Sequence, residues 1–273
     1  MTNNFAELVP RVTAVAAAAG EAILSIYQHD VLQISTKDDA TPLTQADTLA
    51  HQLIVEGLSQ LTPGVPILSE EGQIPDFSER QRWSEYWLVD PVDGTKEFIG
   101  RTGEFSVNIA LIVGQVPVLG VIVAPTLQTC YYASRGLGAF KQAANGKVTP
   151  LVTRPWSAAK PLVVAVSRRH QAERLEAFMA RLGDYTTLTL GSSLKFCAIA
   201  AQEADLYPRL GPTSEWDTGA GHCILTEAGG AIVDLQGLAL TYNTKDVLQN
   251  PSFMATGDLA ALGDYLSLIQ ETL

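Results

Sequence analysis

Trp87-Leu88-Val89-Asp90-Pro91-Val92-Asp93-Gly94-Thr95-Lys96-Glu97-Phe98 is an apolar run that stops abruptly at two carboxylates, a proline, a glycine and a threonine. It reads as a strand that delivers acids to a turn. Pro91 has no N–H to give a sheet ladder, so pairing is expected to fail where Asp90 emerges, and Gly94 tolerates backbone conformations that other residues resist. The carboxylates are then expected to be displayed rather than buried. Oxygen ligands suit hard cations such as Mg²⁺, and the carbonyl of Val92, between the two acids, can turn inward as a further ligand. Beyond Gly94, backbone N–H groups can receive a phosphate oxygen.

Two other readings of this stretch stay open on its residues alone. Asp-Gly between apolar runs is a hairpin signal that needs no metal. An aspartyl-phosphate phosphatase also carries two aspartates, but two residues apart, whereas Asp90 and Asp93 are three apart. A cation site needs more acids, and the chain supplies them at Glu70, Glu71 and Asp217. Val65-Pro66-Ile67-Leu68-Ser69-Glu70-Glu71-Gly72 repeats the pattern, an apolar strand ending in paired acids and a glycine; a solvated acidic turn is the plainer reading.

At 273 residues the chain is long enough for one large domain or two intimate lobes with a sizeable core. Hydrophobic residues make up 47% and charged ones 17%, which excludes a disordered chain. A net charge of -11 argues against nucleic-acid polymers and anionic membrane surfaces as partners. A small anionic substrate fits only where bound cations reverse the local sign. The three cysteines, Cys130, Cys197 and Cys223, match no metal or disulfide pattern and are expected to be buried reduced thiols in a cytoplasmic protein. No export signal and no transmembrane segment are expected.

Apolar positions recur at helical spacing from Phe5 to Gln28 and from about Thr44 to Ser59. Between them Ser35 to Pro42 reads as a polar loop, with Lys37, Asp38 and Asp39 on a flap; Lys37 is either a surface lysine or a phosphate contact. Thr44-Gln45-Ala46-Asp47 fits a capping box, the preferred reading of Asp47 from its neighbours alone. Residues 73–86 read as a connecting loop with at most one helical turn. Phe105 to Val113, Val116 to Ala124 and Thr129 to Tyr132 form an expected antiparallel meander. Beyond Pro155 strands and helices alternate: strands Pro161 to Ser167, Thr186 to Leu190 and Asp205 to Tyr207, helices Gln171 to Leu182 and Ser192 to Gln202. A helix from Thr213 to Ala228, strands Ala231 to Asp234 and Phe253 to Thr256, and a terminal helix follow. Asp217 can be a first-turn acid, Trp216 core, Ser192 and Ser193 helix caps, and His222 a satisfied, partly buried histidine.

Taken together, Asp90 to Thr95, the upstream Glu70-Glu71 and the downstream Trp216 to Ala220 resemble the lithium-sensitive, magnesium-dependent phosphatase superfamily that includes inositol monophosphatase and fructose-1,6-bisphosphatase. Thr95 to Phe98, Lys37 to Asp47, Gly103 to Ala110, Gly191 to Phe196 and Leu206 to Thr213 resemble its CysQ branch, the 3'(2'),5'-bisphosphate nucleotidases. Ser69 stands where many relatives carry Gly, and Val92 replaces Leu or Ile. The resemblance implies an α+β fold, an α/β/α/β/α layered sandwich, with residues 1–154 as an N-terminal α+β lobe and 155–273 as a C-terminal α/β lobe that completes the site. It implies two or three Mg²⁺ held by Glu70, Asp90, the Val92 carbonyl, Asp93 and Asp217, a water positioned by Glu70 and Thr95, and Asp47 orienting Thr95 as part of the base. Gly94 and Thr95 would hold the phosphate, with Lys195 and Arg209 contacting a nucleotide.

The implied reaction is hydrolysis of the 3'-phosphate of adenosine 3',5'-bisphosphate, or its sulfated precursor, by direct attack of water. The alternatives are an inositol or sugar phosphate phosphatase of the same fold and a non-catalytic nucleotide sensor. A monomer or homodimer in the cytoplasm is implied, with loose inner-membrane association left open.

Overall fold

The computed structural model of the chain describes residues 5–28, 34–36, 42–157, 160–168 and 173–272. Helix α1 (Val9–Tyr27) is followed by a short antiparallel pair, β1 (Ile34–Thr36) and β2 (Pro42–Thr44), and by α2 (Gln45–Leu61). Next come β3 (Ile67–Ser69), α3 (Phe77–Arg80), β4 (Glu85–Asp93), α4 (Thr95–Ile99), β5 (Ser106–Val113), β6 (Val116–Ala124), β7 (Thr129–Ser134), β8 (Gly138–Gln142) and β9 (Val148–Leu151). The remainder comprises β10 (Leu162–Val166), α5 (Glu173–Met179), β11 (Tyr185–Thr189), α6 (Leu194–Ala200), β12 (Leu206–Arg209), α7 (Glu215–Glu227), β13 (Ala231–Asp234), β14 (Phe253–Thr256) and α8 (Leu262–Gln270). Strands β3 to β9 form one seven-stranded sheet in chain order, and a five-stranded sheet runs β11-β10-β12-β14-β13.

Side chains alternate across a strand, so each sheet contributes to two different cores. In β4, Trp87 and Val89 face the same cluster as Val12, Ala16 and Ile23 of α1 and Ala50 and Ile54 of α2. Leu88, from the other face, joins Phe196 of α6 and Ala220 and Ile224 of α7. That second cluster continues into Ala165, Tyr207 and Phe253 of the smaller sheet. The opposite face of the smaller sheet buries Val164, Leu206 and Met254 against Phe178 of α5 and Tyr265 and Ile269 of α8. Helices and sheets therefore stack α/β/α/β/α. Helix α7 lies so close to the larger sheet that a Cβ on Gly120 would stand 2.5 Å from the Ala220 carbonyl, which only glycine permits.

Several sequence expectations change. The loop assigned to 73–86 yields its last two residues to β4, and β1 and β2 replace part of the polar loop. Two strands the sequence hides, β8 and β9, extend the meander; β9 contains Pro150 and lies at the sheet edge, where a missing N–H is tolerated. The expected break at Pro91 is a register shift: Asp90 still pairs with Asn108, and pairing resumes between Asp93 and Ser106. Lys37, Asp38, Asp39 and the start of the helix assigned from Gln171 lie outside the described residues. Phe5–Tyr27 is long and apolar enough to cross a membrane by length and composition. It packs as a core helix, with Val12, Ala16, Ala19 and Ile23 fully buried. All three cysteines are free; Cys197 and Cys223 are buried and Cys130 is half-buried.

Candidate active site

Three carboxylates meet where the layers meet. Asp90 and Asp93 come from the end of β4 and Asp217 from the first turn of α7, each with an oxygen within 4.8 Å of the others. Glu70 follows β3, whose parallel pairing with β4 sets Ser69 beside Val89, and Glu70 N donates to the Val89 carbonyl at 3.1 Å. Asp90 is 1% exposed, so the expectation of displayed carboxylates fails for it: the strand continues past Pro91 and the layers close over its end. Burial, followed by the charges of Glu70, Asp93 and Asp217, pushes the Asp90 carboxyl well above its ordinary range. Burial and then Asp93 raise Asp217 in the same way. Like charges packed this closely around a buried carboxylate call for a cation. An all-oxygen donor set fits a hard divalent ion.

Asp93 is held from the other half of the molecule. Its Oδ2 accepts from the Ser193 backbone N–H at 2.6 Å, Ser193 Oγ at 2.6 Å, Ser192 Oγ at 2.8 Å and Asn108 Nδ2 at 3.2 Å. Ser106 Oγ in turn donates to Asn108 Oδ1 at 2.9 Å. The serines therefore do not act as helix caps. Ser193 occupies the cap position of α6 without a capping hydrogen bond. Among the described residues these hydrogen bonds all fall on Oδ2, which leaves Oδ1 for a ligand.

The two oxygens of Asp47 serve two different partners. Oδ2 accepts from Thr44 N at 2.8 Å and Thr44 Oγ1 at 2.6 Å, closing the capping box at the head of α2. Oδ1 faces Thr95 Oγ1 at 3.2 Å, and the same hydroxyl lies 3.2 Å from the Val92 carbonyl. One turn further along α2, His51 Nδ1 meets Ser69 Oγ at 2.9 Å, beside Glu70. A single helix thus braces both strand ends. Gly94 opens α4 at φ 91°, in the left-handed region, and a Cβ there would lie 3.0 Å from the Glu104 carbonyl.

A cleft of about 650 Å³, its solvent-open mouth included, runs from these acids. Gly94, Lys195, Tyr207, Arg209 and Asp217 line it. Lys195 is buried, donates to the carbonyls of Leu190 at 3.2 Å and Ser192 at 2.6 Å, and lies 5.1 Å from the centre of the Tyr207 ring. Its burial brings the ammonium down to about 8. Arg209 donates through Nη1 to Ser167 Oγ and through Nη2 to the Pro212 carbonyl, both at 2.8 Å. Its Nε is buried with no hydrogen-bond partner among the described residues. His222 is satisfied as expected, with Nδ1 3.0 Å from Tyr242 Oη, but it is buried and not partly buried. Trp216 is partly buried against the core between the sheets. The sequence missed Asn108, whose role shows only across the pairing of β4 with β5.

The model of the inositol monophosphatase family matches residues 6–266 of the chain. The chain belongs to the inositol monophosphatase family. Within it, the chain is 46% identical over 250 residues to the 3'(2'),5'-bisphosphate nucleotidase CysQ of Salmonella typhimurium, covering 91% of this chain and 99% of that protein. It is 44% identical over 247 residues to the enzyme of the same name from Escherichia coli K12, covering 90% and 98%. The crystal structure of CysQ from Bacteroides thetaiotaomicron matches with a TM-score of 0.81 at 37% identity, over 94% of this chain and 98% of that one. The inositol monophosphatase family is metal-dependent, which agrees with the acid cluster.

Proposed function

We propose that the chain is a 3'(2'),5'-bisphosphate nucleotidase that removes the 3'-phosphate of adenosine 3',5'-bisphosphate, and of its 5'-sulfated precursor, giving AMP and phosphate from the former. The observation that carries the reading is the cluster of Asp90, Asp93 and Asp217 within 4.8 Å, at a cleft that also holds Lys195 and Arg209. The likeness to proteins named CysQ supports the substrate. The catalytic end of the site falls in residues 1–154, and 155–273 supply Asp217 and the nucleotide side.

Two or three Mg²⁺ would be held by Glu70, Asp90, the Val92 carbonyl, Asp93 and Asp217; when bound they supply neutralisation of phosphoryl charge, a more acidic water and stabilisation of the leaving alkoxide. The Thr95 hydroxyl has one proton and two acceptors at 3.2 Å, Asp47 Oδ1 and the Val92 carbonyl. Transfer of that proton to Asp47 Oδ1 lets the Thr95 oxygen take one from the attacking water, so the pair acts as the general base. Glu70 orients the same water from the neighbouring strand end. The first-turn N–H groups at Gly94 and Thr95 hold the phosphate, and the water attacks it directly, without a covalent intermediate. Lys195 and Arg209 stand on the leaving-group side, where the buried Nε of Arg209 has no acceptor among the described residues.

The test is phosphate release from adenosine 3',5'-bisphosphate, inositol 1-phosphate and fructose 1,6-bisphosphate, with and without Mg²⁺. The bisphosphate should give the highest kcat/KM, AMP should be its product, and excess chelator should abolish turnover. Adenosine 3'-phosphate as the product, or full turnover in chelator, would refute the reading.

A further inference from the structure

Glu104 sits where three parts of the chain meet. Its Oε2 accepts from Gly191 N at 2.9 Å, at the start of the stretch whose Ser192 and Ser193 grip Asp93. Its Oε1 accepts from Arg168 Nη2 at 2.6 Å, just beyond β10. Arg168 lines the same cleft as Asp93 and Asp217, and 44% of its side chain is exposed. A chain of net charge -11 thus keeps a guanidinium at the mouth of its acidic cleft, parked on one carboxylate oxygen.

Three physical features make this parking reversible. An ion pair this exposed contributes little to stability, because water screens it and ordering two long side chains offsets the attraction. A phosphate or sulfate offers arginine two parallel charge-assisted hydrogen bonds, the stronger arrangement. Glu104 keeps the Gly191 N–H when Arg168 turns away, so the carboxylate is not left unpaired. Lys195 and Arg209 differ: Lys195 is buried and donates to the Leu190 and Ser192 carbonyls, and both Nη atoms of Arg209 are held by Ser167 and the Pro212 carbonyl, which leaves Arg209 only its buried Nε.

We propose that Arg168 is a specificity-determining residue that leaves Glu104 to bind an anionic group carried by the substrate away from its scissile phosphate, with Glu104 as the residue that parks it. The inference rests on the nucleotidase reading and deepens it. Its substrate class is a nucleoside with a second phosphate, or a sulfated phosphate, at the far end.

The experiment compares wild type, Arg168→Gln and Glu104→Gln on adenosine 3',5'-bisphosphate and adenosine 3'-monophosphate, with inositol 1-phosphate as the reference ester. Arg168→Gln should lower kcat/KM for the bisphosphate roughly ten- to a hundredfold, mainly through KM, because the contact exists in ground and transition states alike. For the 3'-monophosphate the loss should stay under about threefold, since that ester has nothing for Arg168 to bind. Glu104→Gln keeps an oxygen for Gly191 N and releases Arg168, so KM for the bisphosphate should hold or fall. Equal losses on the two adenosine esters in Arg168→Gln, or a raised KM for both in Glu104→Gln, would overturn the role of Arg168 alone. A wild-type preference for inositol 1-phosphate would instead overturn the nucleotidase reading, so the two failures are distinguishable.

Discussion

Asp90→Asn should abolish turnover and at the same time stabilise the metal-free protein. Loss of a ligand at the centre of the cluster should lower activity by roughly 10³-fold or more, beyond the 10–100-fold typical of groups that only orient ligands. The stability gain comes from the same residue. Asp90 is buried among Glu70, Asp93 and Asp217, and its folded-state carboxyl is raised above the unfolded value, so without a cation the native state binds the extra proton. Stability conferred by that proton is present at low pH and lost as pH rises from the ordinary value of 3.8 through the raised one. An uncharged amide removes that penalty at neutral pH; each ~1 kcal/mol regained should lift Tm by about 2–4 °C. Thermal unfolding with and without Mg²⁺ checks both halves. Wild type should gain Tm from the ion and lose pH sensitivity with it, whereas Asp90→Asn should start higher and gain little. An apo variant less stable than wild type would show that burial of Asp90 is not strained by charge.

Thr95→Ala and Asp47→Asn should each lower kcat by on the order of 10²-fold or more, and the double substitution should be little worse than either alone, because both act on one proton. Asp47 carries two duties that separate in the variants. An amide in its place has one oxygen where the carboxylate has two, so it cannot serve both the Thr44 cap and the Thr95 hydroxyl. Asp47→Asn should therefore weaken α2 as well, by about 0.5–2 kcal/mol if the capping contact is the one lost. Thr95→Ala leaves the cap intact and should unfold like wild type. Rates corrected for folded fraction decide the matter: additive losses would show two independent groups, and an unchanged rate in Asp47→Asn would reduce it to a cap.

What the sequence made legible here was local. Asp90, Pro91, Asp93 and Gly94 mark the approach of a strand end because a continuous apolar run stops and turn chemistry begins within a few residues, with the strand itself ending at Asp93. The same holds at Ser69 to Gly72. Burial of Asp90 was not legible, because alternation along β4 says which face a side chain takes but not that α7 and the second sheet close over the strand end. Ser192 and Ser193 read as caps from their neighbours, yet their partner is Asp93, 99 and 100 residues away. Strand β9 hid behind Pro150, which argues against a strand except at an edge, and edges are assigned only once the sheet is known. For Asp47 local reading and family resemblance gave different roles, and the two-oxygen geometry accommodates both.

The gathering of Asp90, Asp93 and Asp217 from two strand-and-helix systems has a kinetic consequence. The β3–β4 end carries Glu70, Asp90 and Asp93, but Asp217 joins them only when α7 docks, and the clamp on Asp93 closes a loop of 100 residues before it forms. Such long-range closure belongs late in assembly. An ion that recognises only the docked arrangement stabilises the native state without touching earlier species. It should then slow the escape from the native state while leaving the rate of reaching it unchanged. In a cell the bound ion would act as a latch on a finished molecule, lengthening its lifetime against proteolysis without helping it to fold.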